Sequence, residues 1–297
     1  MTTRKLGALR MFPESFTVAI GPFINDAFRV FRDAVGPALE DAALLPLRVL
    51  VAVEALLRDQ LPWWAVLILA GAAAFALSRK ISLAAAAVAG LFAIGVVGLW
   101  DNAMQTLAIM TVAILLCLLL GLPLGIAMSQ SRRLRAVMLP ILDVMQTLPV
   151  FVYLIPVIML LGIGKVPAIL ATVIYAVVPL VRLTDLGIRL VDGETVEAAE
   201  SFGASRMQKL AKVQIPLALP AILQGLNQTI MMALSMVVIA SMIGARGLGE
   251  EVLLGIQRLD IGQGLLAGLA VVVLAIVLDR VSQAGGARMR AMRAPAR

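Results

Sequence analysis

The sequence predicts an all-α integral membrane protein with about seven transmembrane helices. Mean hydropathy is +1.00, and 61% of the residues are hydrophobic against 14% charged. The apolar residues also gather into runs close to the ~20 residues that a bilayer core requires per helix. A soluble chain is about half apolar and has nowhere to bury the excess.

Residues 1–61 stand apart. The opening MTTRKLGALRMFPESF lacks the apolar core of a cleavable signal, so insertion is expected to be driven by the spans. In FINDAFRVFRDAVGPALEDA, Phe28, Phe31 and Val35 share one helical face, and Asp26, Arg29, Asp33 and Glu40 lie on the other. That pattern suits a helix lying in the membrane interface, or a short helix packed on the rest of the chain. Pro37 and Pro46 are expected to break it into pieces.

The predicted spans are 62–78, 81–99, 104–128, 138–163, 166–188, 217–243 and 262–281. Trp63, Trp64 and Trp100 fall at span ends, where an indole sits at headgroup level. Pro140, Pro149 and Pro156 predict that the fourth span is kinked or broken.

Basic residues orient the set. Arg79, Lys80, Arg132, Arg133, Arg135, the stretch 189–216 and the tail ARMRAMRAPAR fall on one side. The opposite loops, around Asp101, Lys165 and 244–261, carry only Lys165, Arg246 and Arg258 as basic residues. The positive-inside rule then places the N-terminus outside and the C-terminus in the cytoplasm. The formal charge of +7 is thereby a matter of topology, not of nucleic-acid binding.

Between the fifth and sixth spans, residues 196–216 read VEAAESFGASRMQKLAKVQIP. Thr195 is a candidate helix cap, with Glu194 and Glu197 suited to the positive end of the helix dipole. Gly203 interrupts the pattern. Ser205 and Gln208 match a capping box that starts a second short helix, with Met207, Leu210 and Ala211 on one side. Pro216 is expected to end it. Val196, Ala199 and Phe202 form an apolar ridge. The stretch is either a solvated connector or a docking surface, and two capped helices with a ridge favour docking.

This stretch resembles the cytoplasmic EAA loop of ATP-binding cassette (ABC) importer permeases. Glu197, Ala198 and Ala199 are followed after three residues by Gly203, and after nine more by Val213, Ile215 and Pro216. The family more often has Ile and Leu at the two aliphatic places, and Val213 and Ile215 keep their apolar character. DVMQTLPVFVYLIPVIMLLGIG at 143–164 and LNQTIMMALSMVVIASMIGARGLGEEVLLGIQRLDIGQGLLAG at 226–268 are similar to permeases for glycine betaine, proline betaine and choline.

The resemblance implies a type I ABC importer permease core of five helices at 100–283, carrying the coupling loop at 189–216. Two extra spans at 62–99 and the amphipathic segment at 1–61 precede it, and a basic cytoplasmic tail at 284–297 follows. It further implies a multi-pass protein of the bacterial inner membrane that works as a permease homodimer in lipid, with ABC ATPase subunits and an extracellular or periplasmic substrate-binding protein. The chain itself would hold no cofactor, with ATP and Mg on the partner ATPase.

The residues exclude several chemistries. There is no histidine, which removes His-based triads, His metal sites and the usual neutral-pH proton shuttle. Cys117 lies in an apolar run and reads as an inert thiol. No GxxxxGK[ST] occurs, and GIGK at 162–165 reads as a turn between spans. The chain is thus expected to be a transporter subunit and not an enzyme.

Candidates for a translocation path are the polar and aromatic residues within spans. Asp143 is read as the only acidic residue well inside a span. It suits attraction of a cation or, more readily near a span end, a structural pairing with Arg182. Gln146, Thr147, Asn227, Gln228 and Thr229 suit either a path lining or hydrogen bonds between helices. Tyr153 and Tyr175 offer cation–π faces to a quaternary ammonium, or simply pack. Gly121 and Gly125 form a GxxxG that permits close helix contact. The alternatives to quaternary-amine import are an ABC permease for another amino-acid-like solute and an ion-coupled secondary transporter. The latter would predict inverted repeats and midplane charges.

Overall fold

The computed structural model describes residues 19–293, and among them every regular element is helical. Of these, residues 19–42 belong to one compact unit and residues 43–293 to another. Helix α1 (Gly21–Ala55) runs through Pro37 and Pro46 without a break, which corrects the expectation that these prolines divide it. Each proline removes one backbone donor and leaves the ladder on either side intact. The carbonyls four residues earlier belong to exposed Asp33 and Ala42, where another partner can reach them. In the first unit the Phe28 and Phe31 rings lie 6.1 Å apart, on the shared face. The opening residues read for a signal lie outside the described residues.

In the second unit a π-helical turn (Leu56–Gln60) leads to α2 (Trp63–Ser78) and α3 (Ile81–Val96). Then come α4 (Trp100–Gln130), α5 (Arg132–Thr147), α6 (Val150–Leu161) and α7 (Lys165–Arg189). Helices α8 (Gly193–Ser201) and α9 (Arg206–Lys209) make the polar loop. After a π turn (Leu210–Gln214) follow α10 (Ile215–Ala240), α11 (Leu248–Arg258) and α12 (Ile261–Arg293).

Among the described residues, four helical stretches are long and apolar enough to cross a membrane: Trp100–Gln130, Lys165–Arg189, Arg206–Ala240 and Ile261–Gly286. Two bent helix pairs raise the number to six. The chain is therefore an all-helical, multi-pass membrane protein. Helices α2 and α3 have 16 residues each, or about 24 Å at 1.5 Å per residue, which is short of a ~30 Å hydrocarbon core. The bend of 101° between α5 and α6 falls at Pro149. Leu148 before it is extended, with ψ 133°, because the proline ring disfavours helical geometry in its predecessor. Pro140 and Pro156 stay inside their helices.

The core is built on α4, α7 and α10, with Met104, Ile109, Leu180 and Met236 fully buried. Small residues bring the three backbones together. A Cβ on Gly125 would stand 2.6 Å from Thr184 Cβ and 2.8 Å from the Val181 carbonyl. Gly187 meets Ala221, and Gly225 meets the backbone of Pro179 and Leu180. Thr229 then donates to the Ala176 carbonyl at 2.8 Å. Where lipid replaces water, such close van der Waals packing is the main force holding helices together.

Candidate functional site

Between α7 and α10 the chain turns twice over the 25 residues 190–214. The first turn is capped by Asp192, whose carboxylate accepts from the Thr195 N–H at 3.3 Å and its hydroxyl at 3.0 Å. Thr195 is thus the capped residue and not the cap. Aspartate one turn earlier already occupies the position whose oxygen reaches the free amides. Glu194 sits in the first turn of α8, where the dipole favours a negative charge.

Gly203 closes α8. Its φ is +78°, its N–H donates to the Glu200 carbonyl at 2.9 Å, and the Ala204 N–H reaches the Ala199 carbonyl at 3.0 Å. This pair of bonds is a Schellman motif, which needs a left-handed residue at that point and so favours glycine. The capping box follows at once, with Ser205 Oγ accepting from the Gln208 N–H and Gln208 Oε1 accepting from the Ser205 N–H. Lys209 Nζ donates to Glu200 and pins α9 to α8.

The outcome is a rigid corner that presents apolar side chains to the surroundings. Phe202 is 92% exposed and Met207 72%. Glu197 and Ala198 are exposed, while Val196 and Ala199 are half-buried. Nothing lies within 4 Å of where a Gly203 Cβ would point.

The second half of the motif faces the other way. Val213, Ile215 and Pro216 are half-buried, and Leu210 and Ile215 pack against the core. Pro216 does not end the helix. It stands in the first turn of α10, where a missing N–H costs little, and the widened turn Leu210–Gln214 carries the chain through to Ala240. A helical connection therefore runs from the exposed corner into a membrane-crossing helix.

Beside it, α5 is tied to α7 by two ion pairs. Arg135 Nε donates to Asp185 Oδ2 at 3.0 Å, and Arg182 donates to Asp143. Asp185 is buried. Sequence reasoning passed over it because it falls near a span end. Its spacing of three from Arg182 was the available signal, since such residues share a helical face. A second missed pair joins Lys165 to Glu54 at 2.7 Å, and there too the partners are far apart in the chain.

The path candidates divide. Tyr153 and Tyr175 meet edge to face with centroids 6.1 Å apart, and the buried Tyr153 hydroxyl has no hydrogen-bond partner among the described residues. Asn227 accepts from Ser282 and lies 3.5 Å from Asp279, so it links α10 to α12. Thr147 bonds back to the Val144 carbonyl at 3.0 Å. Gln146, Thr147 and Gln228 are exposed on the single chain. Cys117 is buried against the Val173 carbonyl at 3.8 Å.

The profile of the binding-protein-dependent transport system inner membrane components matches residues 117–291. The glycine betaine/proline betaine transport system permease protein ProW of Escherichia coli is 52% identical over 206 residues, covering 69% of this chain. The chain spans only 58% of that relative's length. The glycine betaine/carnitine transport permease protein GbuB of Listeria monocytogenes is 48% identical over 76% of this chain and 81% of its own. Among solved structures, an inward-facing MetNI methionine ABC transporter chain aligns with a TM-score of 0.56 and 25% identity. That alignment covers 65% of this chain and 95% of the other.

Proposed function

The chain belongs to the family of binding-protein-dependent transport system inner membrane components, and from that premise we propose that it is the permease subunit of an ATP-driven importer of quaternary-amine compatible solutes. The observation that carries the reading is the corner at Gly203, an exposed apolar knob joined by continuous helix to a membrane-crossing segment. A knob of this kind suits a groove on a separate ATPase. Closure of that partner would be transmitted along the helix through Val213, Ile215 and Pro216. Relatives named for betaine transport support the substrate class.

In this reading α2 and α3 cross as a pair, giving seven spans, with the corner and C-terminus in the cytoplasm. Two copies form the path, and exposed Gln146, Thr147 and Gln228 together with Asp143, Tyr153 and Asn227 are its candidate lining. A substrate-binding protein delivers the solute from outside, and ATP with Mg is held by the partner ATPase. Membership in a binding-protein-dependent family leaves the ion-coupled alternative without support.

Proteoliposomes test this directly. Uptake of labelled glycine betaine should require the chain, its ATPase, its binding protein and ATP together, and the chain alone should not hydrolyse ATP. Uptake by the lone chain driven by an ion gradient would overturn the proposal.

A further inference from the structure

A groove of roughly 1040 Å³ lies between the α2–α3 turn, the N-terminal half of α10 and the C-terminal half of α12, with Arg79, Lys80 and Arg280 among its lining residues. All three cations are exposed, and none has a carboxylate within 4.0 Å among the described residues. Asp279, next to Arg280 in the sequence, is not among the lining residues and accepts from Gln283 at 2.7 Å. Arg79 also holds a left-handed backbone, φ 57°, at a position where glycine or asparagine would sit with less strain.

The rest of the lining is of mixed character. Leu83, Ala86, Leu223 and Ile276 give it apolar lining, and Ser82 and Gln224 add hydrogen-bonding groups. The groove also opens beside a helix that the chain itself leaves largely uncovered, with only 17% of the apolar window in Ile261–Gly286 buried.

We propose that this groove binds an anionic phospholipid, with its phosphate among Arg79, Lys80 and Arg280 and an acyl chain along the apolar wall. Clustered basic side chains attract acidic headgroups at a membrane surface, and a groove lined by both cations and apolar side chains offers contacts to both halves of such a molecule. A soluble anion would have no use for the wall, and an acidic protein segment would have none for a lipid-facing opening. The lipid wedges the α2–α3 pair against α10 and α12. The inference rests on the membrane placement given above, but not on the transported solute.

The test uses the full chain purified in mild detergent, with native mass spectrometry to count bound lipid. Phosphatidylglycerol should be retained and phosphatidylcholine should not. Each charge removed by Arg79→Gln, Lys80→Gln or Arg280→Gln should weaken retention roughly fivefold, and the three together about a hundredfold. The melting temperature of the lipid-free protein should be unchanged. Equal retention of phosphatidylglycerol by the triple variant would overturn the proposal. So would displacement by millimolar inorganic phosphate, or loss of ATPase co-purification in that variant with lipid binding intact. Cysteine-labelling topology, measured on the same samples, separates a failure of the membrane placement from a failure of the site.

Discussion

The Arg135 guanidinium donates to the Asp185 carboxylate at 3.0 Å, and Asp185 keeps only 4% of its side chain exposed. This contact ties α5, the first half of a broken helix pair, to the end of α7 that leads into the polar corner. Removing one partner leaves a buried charge, whereas removing both need not.

Arg135→Leu should therefore lower stability by about 3 kcal/mol, the lower end for a buried pair, because Arg135 is itself 32% exposed. Arg135→Leu with Asp185→Leu should recover most of the loss. Thermal unfolding in detergent measures both. A double variant no more stable than the single would show that the pair has no such role.

Gly203→Asp should leave the isolated chain folded, since nothing lies within 4 Å of a Cβ at that position. The left-handed φ adds about 1 kcal/mol of strain. Against a partner's groove, however, an unpaired charge costs several kcal/mol, which is roughly a hundredfold in affinity. Normal abundance with weak ATPase co-purification and little uptake is the expected pattern. Intact pull-down and uptake would reduce the corner to a connector.

Phe202→Ser probes the same contact without backbone strain, because Phe202 is 92% exposed on this chain. Burial of such a ring contributes about 1.5–3 kcal/mol, so ATPase binding should fall by at least tenfold. Stability of the lone permease should not change. An unaltered affinity would place Phe202 outside the contact.

Gly125→Val should destabilise the chain by about 1–3 kcal/mol through overpacking, since the added carbons meet Thr184 and the Val181 carbonyl. Gly268→Ala is the control, with open space around it and a gain in helix propensity of up to ~1 kcal/mol. Melting temperatures should move in opposite directions. Equal shifts would count against close α4–α7 packing.

On a Cys117→Ala background, a cysteine placed at Arg133 should react with an impermeant reagent only from the cytoplasm, and one at Glu250 only from outside. Labelling of the 196–216 stretch from outside would reverse the orientation.

Local order along the chain was legible wherever it depends on near neighbours. The Ser205–Gln208 capping box, the turn at Gly203 and the bend at Pro149 follow from bonds and clashes within a few residues, and each stands in the structure as its residues suggest. The apolar runs likewise coincide with helices, because hydropathy is set residue by residue. Prolines were less readable. Pro37, Pro46 and Pro216 remain in continuous helices, since one missing donor is tolerated when the freed carbonyl finds another partner or the proline falls in a first turn.

The sequence by itself determined that this is a helical membrane protein with a capped polar corner, because composition, helix caps and the EAA spacing are properties of short stretches. Only the tertiary structure decided which charges meet. Arg135 finds Asp185 across 50 positions and Lys165 finds Glu54 across 111, distances over which spacing in the chain carries no geometry. It also decided that Arg79, Lys80 and Arg280 share one groove. Those meetings depend on how glycines and alanines let α4, α7 and α10 approach, and packing of that kind is a property of whole surfaces.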